Sequence, residues 1–198
     1  MKRLSLSLVF CASLFVIGCK NDQKENESEN AVETEMESEM DSMEKEEESK
    51  KITVSLEPKS GSDLGGEVTF MQEDGEVTME ATITGLAEGK HAIHIHQKAD
   101  CSAEDGTSAG GHWNPTNERH GKWGDAEGYH KGDIGNFEVD ADGEGTISMT
   151  TDEWCIGCDD DNKNIVGKSI IVHDGVDDYT SQPSGAAGTR VGCGVIEM

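Results

Sequence analysis

Six of the seven histidines, together with one aspartate, fall in an order that suits two metal ions. They are His94 and His96 in the run His94-Ile95-His96, then His112, His120 and His130, Asp133 three residues further, and His173. Imidazole nitrogen and carboxylate oxygen are donors suited to copper and zinc. Seven donors are too many for one tetrahedral ion, so two adjacent ions sharing a histidine is the economical reading. A redox-active ion beside a structural one points to electron-transfer chemistry. Residues two apart on a strand face the same side, so His94 and His96 can reach one ion, whereas His91 has the opposite parity.

Short alternating segments must carry these donors. Val68 and Phe70, then Val77, Met79, Ala81 and Ile83, alternate with polar residues around Glu73-Asp74-Gly75, which predicts a hairpin. Phe137-Glu138-Val139 and Thr146-Ile147-Ser148-Met149 around Asp142-Gly143 predict a second. Further strands fit 52–57, 91–96, 168–173 and 190–196. Residues 52–198 hold 23 of the 24 glycines, show no repeat at solenoid period and are long enough for one substantial core. Regular strands with glycine turns predict an all-β sandwich or barrel.

The amino-terminal quarter is of a different kind. Met1-Lys2-Arg3, an apolar run from Leu4 to Ile17 and Val16-Ile17-Gly18-Cys19 look like a bacterial lipoprotein signal. Residues 1–18 are then the signal peptide, with Cys19 lipidated. The expected location is the cell envelope, anchored on the periplasmic side or at the cell surface. An ordinary secretory peptide is a weaker alternative. A membrane span is weaker still, because about 14 apolar residues fall short of the roughly 20 required. Residues 19–51 read as a disordered acidic tether. From 20 to 51 there are thirteen acids against five lysines and no aromatic residue, too little apolar surface to offset ordering entropy. The folded domain is then 52–198. Of six cysteines, Cys11 leaves with the signal and Cys19 takes the lipid, so four remain, an even number in an oxidising compartment. A net charge of −25 excludes nucleic acid as a partner.

Taken in order, the motifs resemble the Cu/Zn superoxide dismutases. The matching stretches are G-K-H-A-I-H-I-H (89–96), D-C-S-A (100–103), G-T-S-A-G-G-H-W-N-P (106–115), H-G (120–121), H-K-G-D-I-G-N (130–136), I-V-H (171–173), D-D (177–178) and G-T-R-V-G-C-G-V-I (188–196). The resemblance implies an eight-stranded Greek-key β-barrel or sandwich with long metal-binding loops. It implies copper, cycling between Cu2+ and Cu+, at His94, His96, His112 and His173, and Zn2+ at His112, His120, His130 and Asp133. His112 is the shared bridge and, in the family's usual account, also carries a proton to the nascent peroxide. Asp177 is similar to the aspartate linking a copper histidine to a zinc histidine, here His94 and His120, and His91 to a structural histidine. Arg190 resembles the arginine that docks the superoxide anion beside copper, and Cys101 with Cys193 the family disulfide. The implied reaction converts superoxide to dioxygen and hydrogen peroxide. A homodimer is compatible with the resemblance, and membrane contact is expected through the lipid alone.

Two features depart from the animal pattern. The loop from Asp177 to Arg190 contains no lysine or glutamate, so residual steering falls to Arg190, the metals and lysines of the metal loop such as Lys122. The pair Cys155-Ile156-Gly157-Cys158 is extra. A second disulfide or a passive pair is favoured, because Asp159, Asp160 and Asp161 should raise the thiol pKa. Copper relay or redox exchange, and half of a zinc ribbon, remain as alternatives. The rival to an enzyme is a non-catalytic envelope lipoprotein that stores or hands over copper and zinc. Against it stand four copper positions and Arg190, since storage needs no anion-binding arginine.

Overall fold

Alternation of apolar and polar residues turns most of the chain into strands that show one side to a common core. The computed structural model describes residues 49–198. The signal segment 1–18, Cys19 and the tether as far as residue 48 lie outside the described residues. In chain order the strands are β1 (Lys50–Ser55), β2 (Glu57–Pro58), β3 (Gly65–Glu73), β4 (Glu76–Thr84), β5 (Gly89–His96), β6 (Gly135–Val139), β7 (Glu144–Thr151), β8 (Lys168–His173) and β9 (Arg190–Ile196). Helical structure among the described residues is limited to the single 3-10 turn Thr107–Ala109. The first strand begins two residues before the boundary expected from composition, with Lys50 and Lys51 opposite Gln72 and Met71.

The strands form one antiparallel sheet in the order β1-β3-β4-β7-β6-β5-β8-β9-β2. Within it, β8-β5-β6-β7 is a Greek-key arrangement. β1 and β2 are one segment that changes partner at Leu56. Its first part pairs with β3, and Glu57 and Pro58 pair with Cys193 and Gly192 of β9. The two edges of the sheet are thereby stitched into a nearly closed barrel. This is why nine strands appear where eight were expected. Pro58 has no N–H to donate and sits where that pairing ends.

Both expected hairpins form, on different terms. Asp74 and Gly75 take left-handed φ values of 51° and 82°, the two-residue turn whose twist matches the strands it joins. The second hairpin pairs in its ladder through Val139 and Gly145, whereas β7 runs beside β4 over eight residues, from Glu144 to Thr151. Phe70, Val77, Met79, Ile83 and Ile170 are fully buried inside the barrel. Each such side chain contributes about 1.5–3 kcal/mol relative to exposure. Three long connections leave the barrel, 97–134, 152–167 and 174–189, and the first and third of them add His112, His120, His130, Asp133 and Asp177 to the buried polar residues of β5 and β8. The disulfide Cys101–Cys193, with Cα atoms 5.8 Å apart, ties the first connection to β9.

Candidate metal centre

β5 presents the first two donors. His94 and His96 share one face of the strand, opposite the core residues Ile93 and Ile95, and both are buried. The long connection is then folded back onto this strand. Trp113 N–H donates to Ile95 O at 2.8 Å, Ile95 N–H to Gly132 O at 2.9 Å and Gly132 N–H to Trp113 O at 3.0 Å. That ring of backbone bonds sets His112 beside β5 on one side and His130 to Asp133 on the other. Gly132 is required there, since a Cβ would lie 2.2 Å from Ile95 O. His173 ends β8, where the register with β9 slips so that Val172 faces Gly192 and His173 faces Arg190. Such a bulge at a barrel rim re-aims side chains, here bringing His173 and Arg190 towards the same space.

Two donor sets result. Donor atoms of His94, His96, His112 and His173 lie within 4.8 Å of one another, as do those of His112, His120, His130 and Asp133. Each histidine leaves one buried ring nitrogen without a hydrogen-bond partner: Nδ1 of His94, His120 and His130, and Nε2 of His96, His112 and His173. A buried polar atom without a partner is costly, and six converging on two points is the arrangement expected of metal ligands. The second set adds a geometric test. His112 Nδ1 and Asp133 Oδ1 are 2.8 Å apart, His120 Nδ1 and Asp133 Oδ2 3.0 Å, and His130 Nδ1 and Asp133 Oδ1 3.2 Å. The last two lack hydrogen-bond geometry, and their lengths approach the donor-to-donor edge of about 3.3 Å in a tetrahedral zinc site. The residues present therefore fit two ions with His112 between them.

The opposite ring nitrogens fix the tautomers. Asp177 accepts from His94 Nε2 at 2.8 Å and His120 Nε2 at 2.9 Å, so one carboxylate orients a histidine in each set. Gly110 O accepts from His96 Nδ1 at 3.0 Å and Gly188 O from His173 Nδ1 at 3.3 Å. Asp133 is itself held by the N–H groups of His130 and Gly121 at 2.8 and 3.1 Å.

Electrostatics separates the two sides. Burial pulls His96 well below its ordinary value, helped by its neighbour His112. Burial likewise draws His112 down to about 4 and His173 to about 3, so without metal these three are neutral at pH 7. His120 goes the other way: burial alone would lower it, but the carboxylates of Asp133 and Asp177 against its two ring nitrogens outweigh burial and raise it to about 9. The same contacts hold both carboxyls below the usual carboxylate range, against their burial.

Above the first set lies a cavity of about 330 Å³, lined by His96, His112, His173, Asn114, Ser184 and Arg190 among others. Arg190 is half-buried and donates from Nη1 to Gly106 O at 2.9 Å. Burial lowers its pKa while Asp105 opposes the shift, and a guanidinium stays protonated throughout the physiological range. The chain thus holds a fixed positive donor at the open side of a four-histidine set.

His91 stays outside both sets, its ring between Ala87 O at 2.8 Å and His173 O at 3.2 Å. Lys122 is exposed. Cys155 and Cys158 are joined as a disulfide, Cα atoms 6.0 Å apart, and belong to neither donor set. Gln182 and Gly185, which carry no sequence signal, also shape the centre, together with Asn136 at the end of the 130–136 stretch. The Gln182 side chain accepts from His120 N–H at 2.9 Å and donates to His120 O at 2.9 Å. Asn136 bonds both the N–H and the carbonyl of Asp177 at 2.8 Å. Gly185 is obligatory, since a Cβ would fall 1.8 Å from Asp177 Oδ1.

A family model described as copper/zinc superoxide dismutase matches residues 64–196. The Cu-Zn superoxide dismutase 5 of Dictyostelium discoideum is 38% identical over 146 residues, covering 70% of this chain and 93% of its own. The extracellular Cu-Zn superoxide dismutase of Caenorhabditis elegans is 35% identical over 144 residues, 70% of this chain and 63% of its own length. Among solved structures, a double mutant of a SOD-like protein from Bacillus subtilis superposes with TM-score 0.66 at 32% identity, over 74% of this chain and 97% of that one. The clock protein EA4 does so with TM-score 0.64 at 32% identity, over 74% and 93%.

Proposed function

The chain belongs to the copper/zinc superoxide dismutase family, and from that premise we propose that it converts superoxide to dioxygen and hydrogen peroxide in the bacterial cell envelope. In this reading copper takes His94, His96, His112 and His173, zinc takes His112, His120, His130 and Asp133, and Cys19 carries a lipid anchor. The observation that carries the assignment is the convergence of six unpartnered buried ring nitrogens on two points that share His112. Copper, when bound, supplies one-electron chemistry, accepting an electron from one superoxide and giving it to a second. The chain's own part is to admit, dock and protonate. Arg190 places a charged donor fork at the cavity, where a small anion gains both attraction and orientation. His112 Nε2 faces that cavity side and is placed to hold the proton that the nascent peroxide takes up. Asp177, Gly110 and Gly188 keep the rings of His94, His120, His96 and His173 in the tautomers that leave their free nitrogens turned inward.

The test is metal content and dismutation measured on one purified, metal-loaded sample, beside two variants. One copper and one zinc per chain are expected, with His112→Ala depleting both ions and His173→Ala lowering mainly copper. Normal copper and zinc in His112→Ala would show that no ligand is shared. Bound metals with no dismutation in the unvaried protein would leave a storage lipoprotein as the reading.

A further inference from the structure

The connection 152–167 contributes no donor to either set, yet it meets the second set from behind. His130 stands between Tyr129 and Lys131, and both neighbours are held by the same two residues of that connection. Tyr129 Oη donates to Glu153 Oε1 at 2.5 Å, Lys131 Nζ is ion-paired with Glu153 Oε2, and the Trp154 indole N–H donates to Lys131 O at 2.8 Å. Trp154 is 1% exposed and wedged with its ring centroid 5.4 Å from that of Trp123 and 6.1 Å from that of Phe70. Trp123 in turn packs on Tyr129 at 4.9 Å. The pair itself is anchored on both sides. Glu153 N–H donates to Thr151 Oγ1 at 3.0 Å, and Cys155 exchanges backbone bonds with Lys163 and Ile165 at 2.8 and 3.1 Å.

This brace falls on the one ligand that needs it. Five of the six histidines have their second ring nitrogen occupied: His94 and His120 by Asp177, His96 and His173 by backbone carbonyls, and His112 by its place between the two sets. Among the described residues, Nε2 of His130 has no such partner. Metal-binding histidines ordinarily gain orientation and basicity from that second contact, and losing it typically costs 10- to 100-fold in affinity or activity. Here the backbone on either side of the ring is pinned in its place.

We propose that Glu153 and Trp154 are positioning residues for zinc: by fixing Tyr129 and Lys131 they hold His130 at its ligand position and set how long zinc is retained. The proposal rests on the zinc assignment of the His112, His120, His130 and Asp133 set. No bond of the brace touches the donors of His94, His96 or His173, so its loss should act on zinc and leave copper in place.

The experiment loads the full-length protein with copper and zinc, or with cobalt(II) as a spectroscopic substitute for zinc. Zinc release to a chromophoric chelator is timed for the unvaried protein, Trp154→Phe and Glu153→Gln. Phenylalanine keeps the packing and removes the donor, while glutamine keeps the shape and removes the ion pair. Glu153 is partly exposed, so its variant tests the idea even if Trp154→Phe does not fold. Expected are zinc release faster by about tenfold in each variant and altered cobalt d–d bands, with copper retention and metal-free melting temperature close to those of the unvaried protein. Zinc release within twofold of the unvaried rate, or acceleration accompanied by equal copper loss and lowered metal-free melting, would overturn the proposal. Failure of the unvaried protein to take up zinc or cobalt would instead overturn the zinc assignment beneath it.

Discussion

Arg190 is the residue whose contribution can be separated from metal binding, because its guanidinium bonds Gly106 O and belongs to neither donor set. Arg190→Glu should therefore keep normal copper and zinc while lowering dismutation strongly, and Arg190→Lys should lower it moderately, since lysine keeps the charge and loses the planar fork. Full activity in a metal-replete Arg190→Glu protein would remove the docking role and favour storage. A second prediction at this scale follows from the opposed histidine shifts in the metal-free domain. For His112 and His173 the folded pKa is below the ordinary 6.5, so their stabilisation is complete above that value and is lost as pH falls towards about 4 and 3. For His120 the folded pKa is raised, so its stabilisation is complete below 6.5 and is lost as pH rises through about 9. Melting of the metal-free protein should peak near pH 6.5 and decline on both sides, and zinc should suppress the alkaline decline by holding His120 unprotonated. A metal-free melting temperature that keeps rising to pH 9 would contradict the reading of His120.

At the scale of elements, what the sequence makes visible is periodicity. Val77, Met79, Ala81 and Ile83 announce β4 because strand burial repeats every second residue, and His94 and His96 inherit their common face from the same rule. What stays hidden is set by partners distant along the chain. The change of partner at Leu56 and the Gln182 clamp on His120 depend on segments 60 or more residues away, and the slip that sets His173 opposite Arg190 depends on the register between β8 and β9, which alternation does not record. Alternation also cannot say that β7 lies mainly against β4 rather than its hairpin partner. The cysteines divide along the same line. Cys101–Cys193 closes 92 residues and Cys155–Cys158 only three. Chain entropy scales with the logarithm of loop length, so Cys101→Ser with Cys193→Ser should cost about 2–5 kcal/mol in denaturant unfolding. Cys155→Ser with Cys158→Ser should cost distinctly less by the same measure. Equal losses would mean that the short bridge stabilises through the contacts of its loop, not through chain closure.

For the whole molecule the difficulty is charge. A chain at −25 should repel an anionic substrate, and residues 52–198 alone hold 9 basic against 28 acidic side chains. The distribution matters more than the total. Residues 90–133, which carry six of the seven donor residues, hold five basic against seven acidic side chains, and two divalent ions, when bound, would add positive charge beside Arg190. At physiological salt, screening acts over about 8 Å, so the cavity responds to this nearly balanced neighbourhood more than to remote acids. Raising ionic strength should therefore slow dismutation, because it weakens a local attraction more than a distant repulsion. The acidic segment ahead of β1 offers the control. Deleting residues 20–48, with thirteen acids and three lysines, removes much negative charge while sparing β1, which begins at Lys50. Stopped-flow decay of superoxide across a salt series should give the same rate and the same downward slope for the full-length and shortened proteins. A rate that climbs with salt in the full-length protein and flattens on deletion would show that the charge of residues 20–48 reaches the cavity, and that the molecule's total charge, not the local balance around Arg190, governs the approach of the anion.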